Sequence, residues 1–393
     1  MELNPFSYEF HENPYPTYAH LRDHDPIYRN DALDFWALSR FRDVLDALID
    51  WQTYSSVGAL VLERIDPKYL EASPMMIMED PPRHDRLRAL VSRVFTPRRV
   101  SNLEPFVRDL AAKLLDPLAK EGGGDFVKDF SNLLPMEVIF TLLGVPEGDR
   151  RQIREWTDIA LDRDPGVMAV PPRAIAASMQ AMRYWYELLQ DFRKHPNDGL
   201  MCALMEAEVE AERGGTTKLT DGEIVGFCSL IGAAGSETTT KLLAFATVLL
   251  ARHPDQRAAL VANPGRIPDA VEEVFRYSSP AQYAARNVMR DVEWYGTKVP
   301  EGSRVLLLVG SANRDPRVFP DPDRFDIDRK AEMHLALGQG VHFCLGASLA
   351  RLESRVGLEE FIRRFPRWRV DEGGCERVHM SNVHGYASVP FMA

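Results

Sequence analysis

Two stretches of the chain carry residue types that could do chemistry together. The first is Leu337-Gly338-Gln339-Gly340-Val341-His342-Phe343-Cys344-Leu345-Gly346, where glycines let the backbone curl around a cysteine and a helix is expected to begin almost at once. Backbone N–H groups at a helix start favour negative charge; they lower a thiol's pKa and yield the thiolate, the form that binds metal. The second is Ala234-Gly235-Ser236-Glu237-Thr238-Thr239, in the middle of what otherwise reads as a strong apolar helix. An acid buried there is costly unless it is paired, neutral or wet. Glu237 and Thr238 beside a gap left by missing side chains would suit the movement of protons into a cavity. The plainer reading is that the small residues admit a neighbouring helix.

The element that must carry Glu237 and Thr238 is a helix predicted from Thr220 to Arg252. Thr220-Asp221-Gly222-Glu223 fits a capping box, and Pro254 disfavours helical geometry at His253. Residues 83 to about 260 read as mostly helical, with apolar positions three and four apart in Val107, Leu110, Leu114 and Leu115. Short strand-like pieces stand at 26–29, 35–38, 298–300 and 303–308. With no internal repeat or low-complexity linker, the expectation is one domain over residues 1–393, mainly α with small β-sheets (α+β). The Pro-rich stretch 164–172 is a loop that could cover a pocket.

Composition narrows the class. Of 393 residues, 45% are hydrophobic and 27% charged, as in an ordinary globular protein. A net charge of −11 argues against general nucleic-acid binding. Cys202, Cys228, Cys344 and Cys375 form no CxxC pair, so neither a disulfide framework nor a zinc ribbon is suggested, and a cytoplasmic setting is expected. No apolar run is long enough for a membrane anchor. Against this acidic background, residues 83–99 hold six arginines and one acid, Asp85.

The motifs and their order resemble the bacterial cytochrome P450 family of haem-thiolate monooxygenases. The Cys344 segment is similar to that family's haem-binding loop, Glu273-Val274-Phe275-Arg276 to its E-x-x-R element, and 234–239 to its oxygen-activating helix segment. Asp80-Pro81-Pro82-Arg83-His84-Asp85-Arg86-Leu87-Arg88 resembles the start of its C helix. Asn313-Arg314-Asp315-Pro316 and Phe319-Pro320-Asp321-Pro322-Asp323-Arg324-Phe325 resemble the segment before the haem loop.

The resemblance implies a cytochrome P450 fold, with haem b held between a long central helix and the cysteine loop. Cys344 would be the axial metal ligand. His84, Arg88, Arg286 and His342 would meet the haem carboxylates, and Ala234, Gly235, Leu337, Gly338 and Gly346 would also contact the cofactor. Leu337 stands where the family usually has phenylalanine; it keeps the site apolar without the ring. Thr238 would hold dioxygen and Glu237 would feed it protons through water, a pair that favours O2 with an electron donor over peroxide. Glu273 and Arg276, one turn apart, would be structural.

Val57, Leu60, Val61, Leu230, Ala234, Gln282, Tyr283 and Tyr386 would line the pocket for a hydrophobic small-molecule substrate. No redox module is fused to the chain, so electrons ultimately from NAD(P)H would come through separate partners, a ferredoxin and a ferredoxin reductase. Arg93, Arg98 and Arg99 would form a basic docking surface on an expected monomer. A haem-thiolate ligand-binding or sensor protein without turnover is the alternative, against which the Glu237–Thr238 pair counts.

Overall fold

The computed structural model describes residues 2–63, 65, 67–72, 74–210, 216–380 and 382–393. The helices that build the site are α1 (Phe41–Ile49), α2 (Arg83–Val94), α3 (Pro97–Ser101), α4 (Glu104–Glu121), α5 (Leu133–Leu143), α6 (Arg150–Leu161), α7 (Pro172–Lys194), α8 (Asp221–Arg252), α9 (Ile267–Tyr277) and α10 (Ala347–Arg364). Helix α8 is the axis of the molecule, packed by α5, α7, α9 and α10, while α10 also lies along α4. Its apolar residues point in nearly every direction, with Phe227, Leu242, Leu243, Phe245 and Val248 all buried. Such a helix belongs in the interior and not at the surface.

The start of α8 is as the sequence predicts. The Thr220 hydroxyl accepts from the Glu223 N–H at 3.3 Å and the Glu223 carboxylate accepts from the Thr220 N–H at 2.9 Å. Its centre, poor in helix formers, remains continuous over 32 residues. Ser236 and Thr238 return their hydroxyls to the carbonyls of Gly232 and Ala234 at 2.8 and 3.0 Å, a local bond available to these side chains inside a helix. A Cβ on Gly235 would lie 3.0 Å from Ile139 of α5, and one on Gly232 would lie 3.4 Å from Trp185 of α7. Close helix packing therefore accounts for Gly235, whereas at Gly232 a Cβ would make only an ordinary contact.

A five-stranded sheet, β1 (Ile27–Asn30), β2 (Phe35–Leu38), β3 (Tyr54–Ser55), β4 (Ala284–Val288) and β5 (Arg304–Leu307), runs in the order β1-β2-β5-β4-β3. Strands β2 and β5 pair in parallel, Trp36 opposite Val305 and Leu38 opposite Leu307, so chain segments far apart in sequence share one sheet. The alternation of a strand's side chains gives the sheet two apolar faces. Phe35, Ala37, Ala285 and Leu306 pack on Phe6, Phe10 and Tyr18, and Leu38, Val305 and Leu307 pack on Phe41, Val44 and Leu48.

Glu273 and Arg276 of α9 join through two N–H···O bonds of 2.8 Å, and Arg276 is fully buried. The same guanidinium donates to the carbonyls of Asn313 and Pro322 at 2.9 Å, while Glu273 accepts from the Asp326 N–H and from Arg329. The pair thus braces the segment that leads to the cysteine loop. On the opposite side, the connection between α6 and α7 is fastened at three points. The Arg163 guanidinium meets Glu63 at 3.2 Å, the Arg163 backbone N–H donates to the His379 carbonyl, and the Gly166 N–H donates to the Phe6 carbonyl.

Candidate active site

A cavity of about 290 Å³ lies between α8 and the loop before α10. From α8 it takes Phe227, Leu230, Ile231, Ala234, Gly235 and Thr238, one face of the helix read at three- and four-residue steps. From the facing loop it takes Leu337, Gly338, Gln339, His342, Phe343, Cys344 and Gly346. Arg88 of α2, Leu60, Tyr283, and Arg286 of β4 complete the part that sequence reasoning foresaw.

The loop's shape depends on its glycines. Gly338 and Gly340 have φ of 69° and 70°, in the left-handed region that costs glycine least. A Cβ on Gly340 would also stand 2.9 Å from the Leu48 carbonyl at the end of α1. The curl lets the Cys344 N–H donate to the Leu337 carbonyl at 2.8 Å, so Leu337 and Cys344 sit side by side facing α8. Helix α10 begins at Ala347, as expected. The thiol differs from expectation: burial pushes Cys344 up, and the Gly346 N–H with the charges of Arg88 and Arg351 only partly opposes this. Desolvation outweighs the helix start when no cation sits against the sulfur.

Four donor groups gather on one side of the cavity. His342 packs edge-on against His84 with ring centroids 4.5 Å apart. His84 lies just behind the lining and holds Asp85 through Nδ1 at 2.9 Å. The Nε2 atoms of both histidines are buried without a hydrogen-bond partner. Burial holds Arg286 down to about 10, and burial with the neighbouring charges of Arg286, His84 and Arg88 holds His342 down to about 3. Such a cluster suits carboxylates entering from a ligand, which would supply the missing acceptors and counter-charge. Among the described residues no group of three or more His, Cys, Asp or Glu side chains forms a metal site, so the donor set offered to a metal is a single sulfur. Buried polar atoms, a lone sulfur and an apolar slot fit a flat metal-bearing macrocycle with acidic side arms.

Several expected positions lie elsewhere. Val57 is half exposed and neither it nor Val61 lines the cavity, which Leu60, held to β4 through its carbonyl, reaches from the same bent segment. Tyr283 lines the cavity and Gln282 does not; Gln282 turns its Nε2 to the Ser279 carbonyl at 2.6 Å. Tyr386 is buried against Phe245 beneath Arg377. The Glu237 side chain is also off the cavity, paired with Lys241 at 2.6 Å.

Sequence reasoning missed Met76, Ile77, Phe227, Ile231 and Asn382, which do line the cavity. The helical spacing of Phe227 and Ile231 to Ala234 and Thr238 was the available signal. It missed Glu353 as well, wholly buried on α10 one turn beyond the lining residue Leu349; burial pushes its carboxyl well up, and the Thr239 hydroxyl opposes this only in part.

The family described as Cytochrome P450 matches residues 174–263 and 267–387. The chain is 47% identical to cytochrome P450 123 of Mycobacterium tuberculosis over 99% of its own length and 96% of that protein's. It is 37% identical to a vitamin D(3) 25-hydroxylase of Pseudonocardia autotrophica over 98% and 95%. Among solved structures it superposes on cytochrome P450 CYP109Q5 of Chondromyces apiculatus with a TM-score of 0.89 at 36% identity, covering all of this chain and 98% of that one. It superposes on CYP109E1 of Bacillus megaterium in complex with testosterone with a TM-score of 0.88 at 32% identity and 98% coverage of each.

Proposed function

The chain belongs to the cytochrome P450 family of haem-thiolate monooxygenases, and from that premise we propose that its cavity inserts one oxygen atom from O2 into an apolar small organic molecule. The observation that carries this reading is the meeting at one cavity of the Cys344 sulfur, the Thr238 hydroxyl and the donor groups of Arg88, Arg286, His84 and His342, the two histidines each keeping a buried Nε2 without a hydrogen-bond partner. Haem b bound there supplies the activation of dioxygen with two electrons, and thiolate donation favours O–O cleavage.

The protein's own residues do the rest. Cys344 would hold the iron through Sγ, and the Gly346 N–H with Arg88 and Arg351 favours its thiolate. Arg88, Arg286, His84 and His342 would take the cofactor's carboxylates. Thr238 keeps a proton on Oγ1, lent to the Ala234 carbonyl at 3.0 Å, and presents it to oxygen in the cavity when the side chain turns. Glu237, its neighbour, replenishes that proton. Phe227, Leu230 and Ile231 exclude water and orient an apolar substrate. The relatives named for vitamin D(3) hydroxylation and for testosterone make sterol-like compounds the first class to screen.

Electrons would reach the site from a separate acidic partner, a ferredoxin served by its reductase. The six arginines between residues 83 and 99 divide by use. Arg83 pairs with Glu79, Arg86 pairs with Glu223, and Arg88 faces the cavity. Arg93, Arg98 and Arg99 are exposed and have no ion pair among the described residues. Helix α3, which bears two of them, flanks a cleft shared with Ser348, Arg351 and Arg355 of α10, the helix that follows Cys344. Charge reversal at all three should raise the KM for ferredoxin and flatten the dependence of reduction rate on ionic strength. An unchanged salt dependence would place docking elsewhere.

The direct test of the reading is the carbon monoxide difference spectrum of the reduced protein. The strongly red-shifted Soret band of thiolate-ligated haem is expected, and Cys344→Ser should abolish it. A wild-type protein without that band would refute the assignment.

A further inference from the structure

Glu237 and Lys241 form a buried ion pair inside α8, Nζ to Oε1 at 2.6 Å, with each side chain less than a tenth exposed. The carboxylate is turned away from the cavity that its neighbour Thr238 lines. A third segment is shaped around the lysine. A Cβ on Gly385 would fall 2.6 to 2.7 Å from Cβ, Cγ and Cδ of Lys241. Gly385 does not have a positive φ, so the lysine stem, and not the backbone conformation, requires glycine there.

Helix α6 adds Arg154 and Asp158 to the same neighbourhood. Asp158 stays accessible, yet the protein around its carboxyl displaces enough water to push it up to about 6; Glu237 adds to the rise, Lys241 and Arg154 oppose it, and Glu155 adds a further small push. A buried pair of this kind is a poor source of stability, since desolvating two ions offsets most of their attraction. A glycine cut into another segment to admit the lysine calls for a role beyond stapling one helix turn.

We infer that Lys241 is a positioning residue for proton delivery: it holds the Glu237 carboxylate off the cavity, and it releases Glu237 toward Thr238 by exchanging to Asp158 on α6. This rests on the reading of Glu237 as the residue that replenishes the Thr238 proton. A proton taken up at a Glu237 oxygen removes the charge that binds Lys241. The ammonium then pairs with the Asp158 carboxylate, and the neutral carboxyl is free to turn. Donation of that proton restores the carboxylate and the original pair. The incoming proton comes from solvent water and the outgoing one passes to the Thr238 hydroxyl, so each cycle moves one proton inward and needs no other reagent.

The test uses the purified haem protein. In Lys241→Met the buried carboxylate loses its cation and should take up a proton, giving a new carboxylic-acid carbonyl band in the infrared that Glu237→Gln removes in the same background. Wild type and Lys241→Arg should lack it. With a surrogate ferredoxin system, Lys241→Met should release about tenfold more peroxide per NADPH, and Lys241→Arg should restore most of the coupling. Gly385→Ala, which crowds the lysine stem without removing its charge, should shift coupling the same way and serves if Lys241→Met does not fold. Asp158→Asn should slow turnover several-fold and leave the infrared spectrum as in wild type.

A Lys241→Met protein without the new band, or with wild-type coupling, overturns the positioning role, and unchanged turnover in Asp158→Asn overturns the exchange. Wild-type coupling in Glu237→Gln alone refutes the underlying relay instead, which separates the two failures.

Discussion

Thr238 shows how one side chain can serve structure and chemistry in turn. Its hydroxyl bonds to the Ala234 carbonyl within its own helix, so removing it strands no buried donor and should cost at most about 1 kcal/mol of stability. Thr238→Ala is therefore expected to bind haem and fold normally while diverting reducing equivalents to peroxide; peroxide assayed against NADPH consumed checks this, and unchanged coupling would count against the hydroxyl. Residues of this kind were legible in the sequence because their chemistry depends on local order: Cys344 among glycines, Thr238 beside Glu237, Glu273 three before Arg276. Gln282, Tyr386, Val57 and Val61 were not, because which side of a segment faces a cavity is decided by its partners. For Gln282 the bridge between Ala281 and Val383, and its own N–H donated to the Asn382 carbonyl at 2.8 Å, set that side from a hundred residues away. Lys241 stood one turn from Glu237 in plain view, but its spacing could not say that both would be buried.

At the scale of elements, α8 was readable from end to end, since its cap and stop are written in adjacent residues. The reason for its central Gly235 was not, because Ile139, which crowds that position, lies on another helix. The brace from α9 is similar: the pair itself is local, but the carbonyls of Asn313 and Pro322 that Arg276 also holds come from tertiary structure. Arg276→Lys keeps the charge and loses the fork. Breaking a buried pair of this type typically costs about 3–5 kcal/mol, so a clear drop in melting temperature and poorer haem retention on purification are expected. Near wild-type values for both would show that the segment before the cysteine loop is held by other contacts.

At the scale of the whole molecule, the two chain ends meet. His384, near the C-terminus, bonds through Nε2 to the carbonyl of His11 at 2.8 Å, and both rings are buried. Burial, with His379 adding, lowers His11 from 6.5 to about 4; burial, with Arg377 adding, lowers His384 to about 3. Between those values and 6.5 the unfolded chain binds protons that the folded chain refuses. Stability is therefore fully present above that window and falls as pH drops through it. Each histidine should contribute a loss of about 2 kcal/mol by pH 5. Melting temperatures measured from pH 7 to 5 should fall, and His384→Gln should flatten the slope; an equally steep slope would assign the effect to other groups. No helix of the described residues is long and apolar enough to cross a membrane. The fastening of the α6–α7 connection to Glu63, His379 and Phe6 has a consequence in time. Leu60, which lines the cavity, is three residues before Glu63, so a guest that left by that edge would wait for bonds it never touches to break. Departure would then run at the protein's own pace, and chemically unrelated guests of very different affinity would share one residence time.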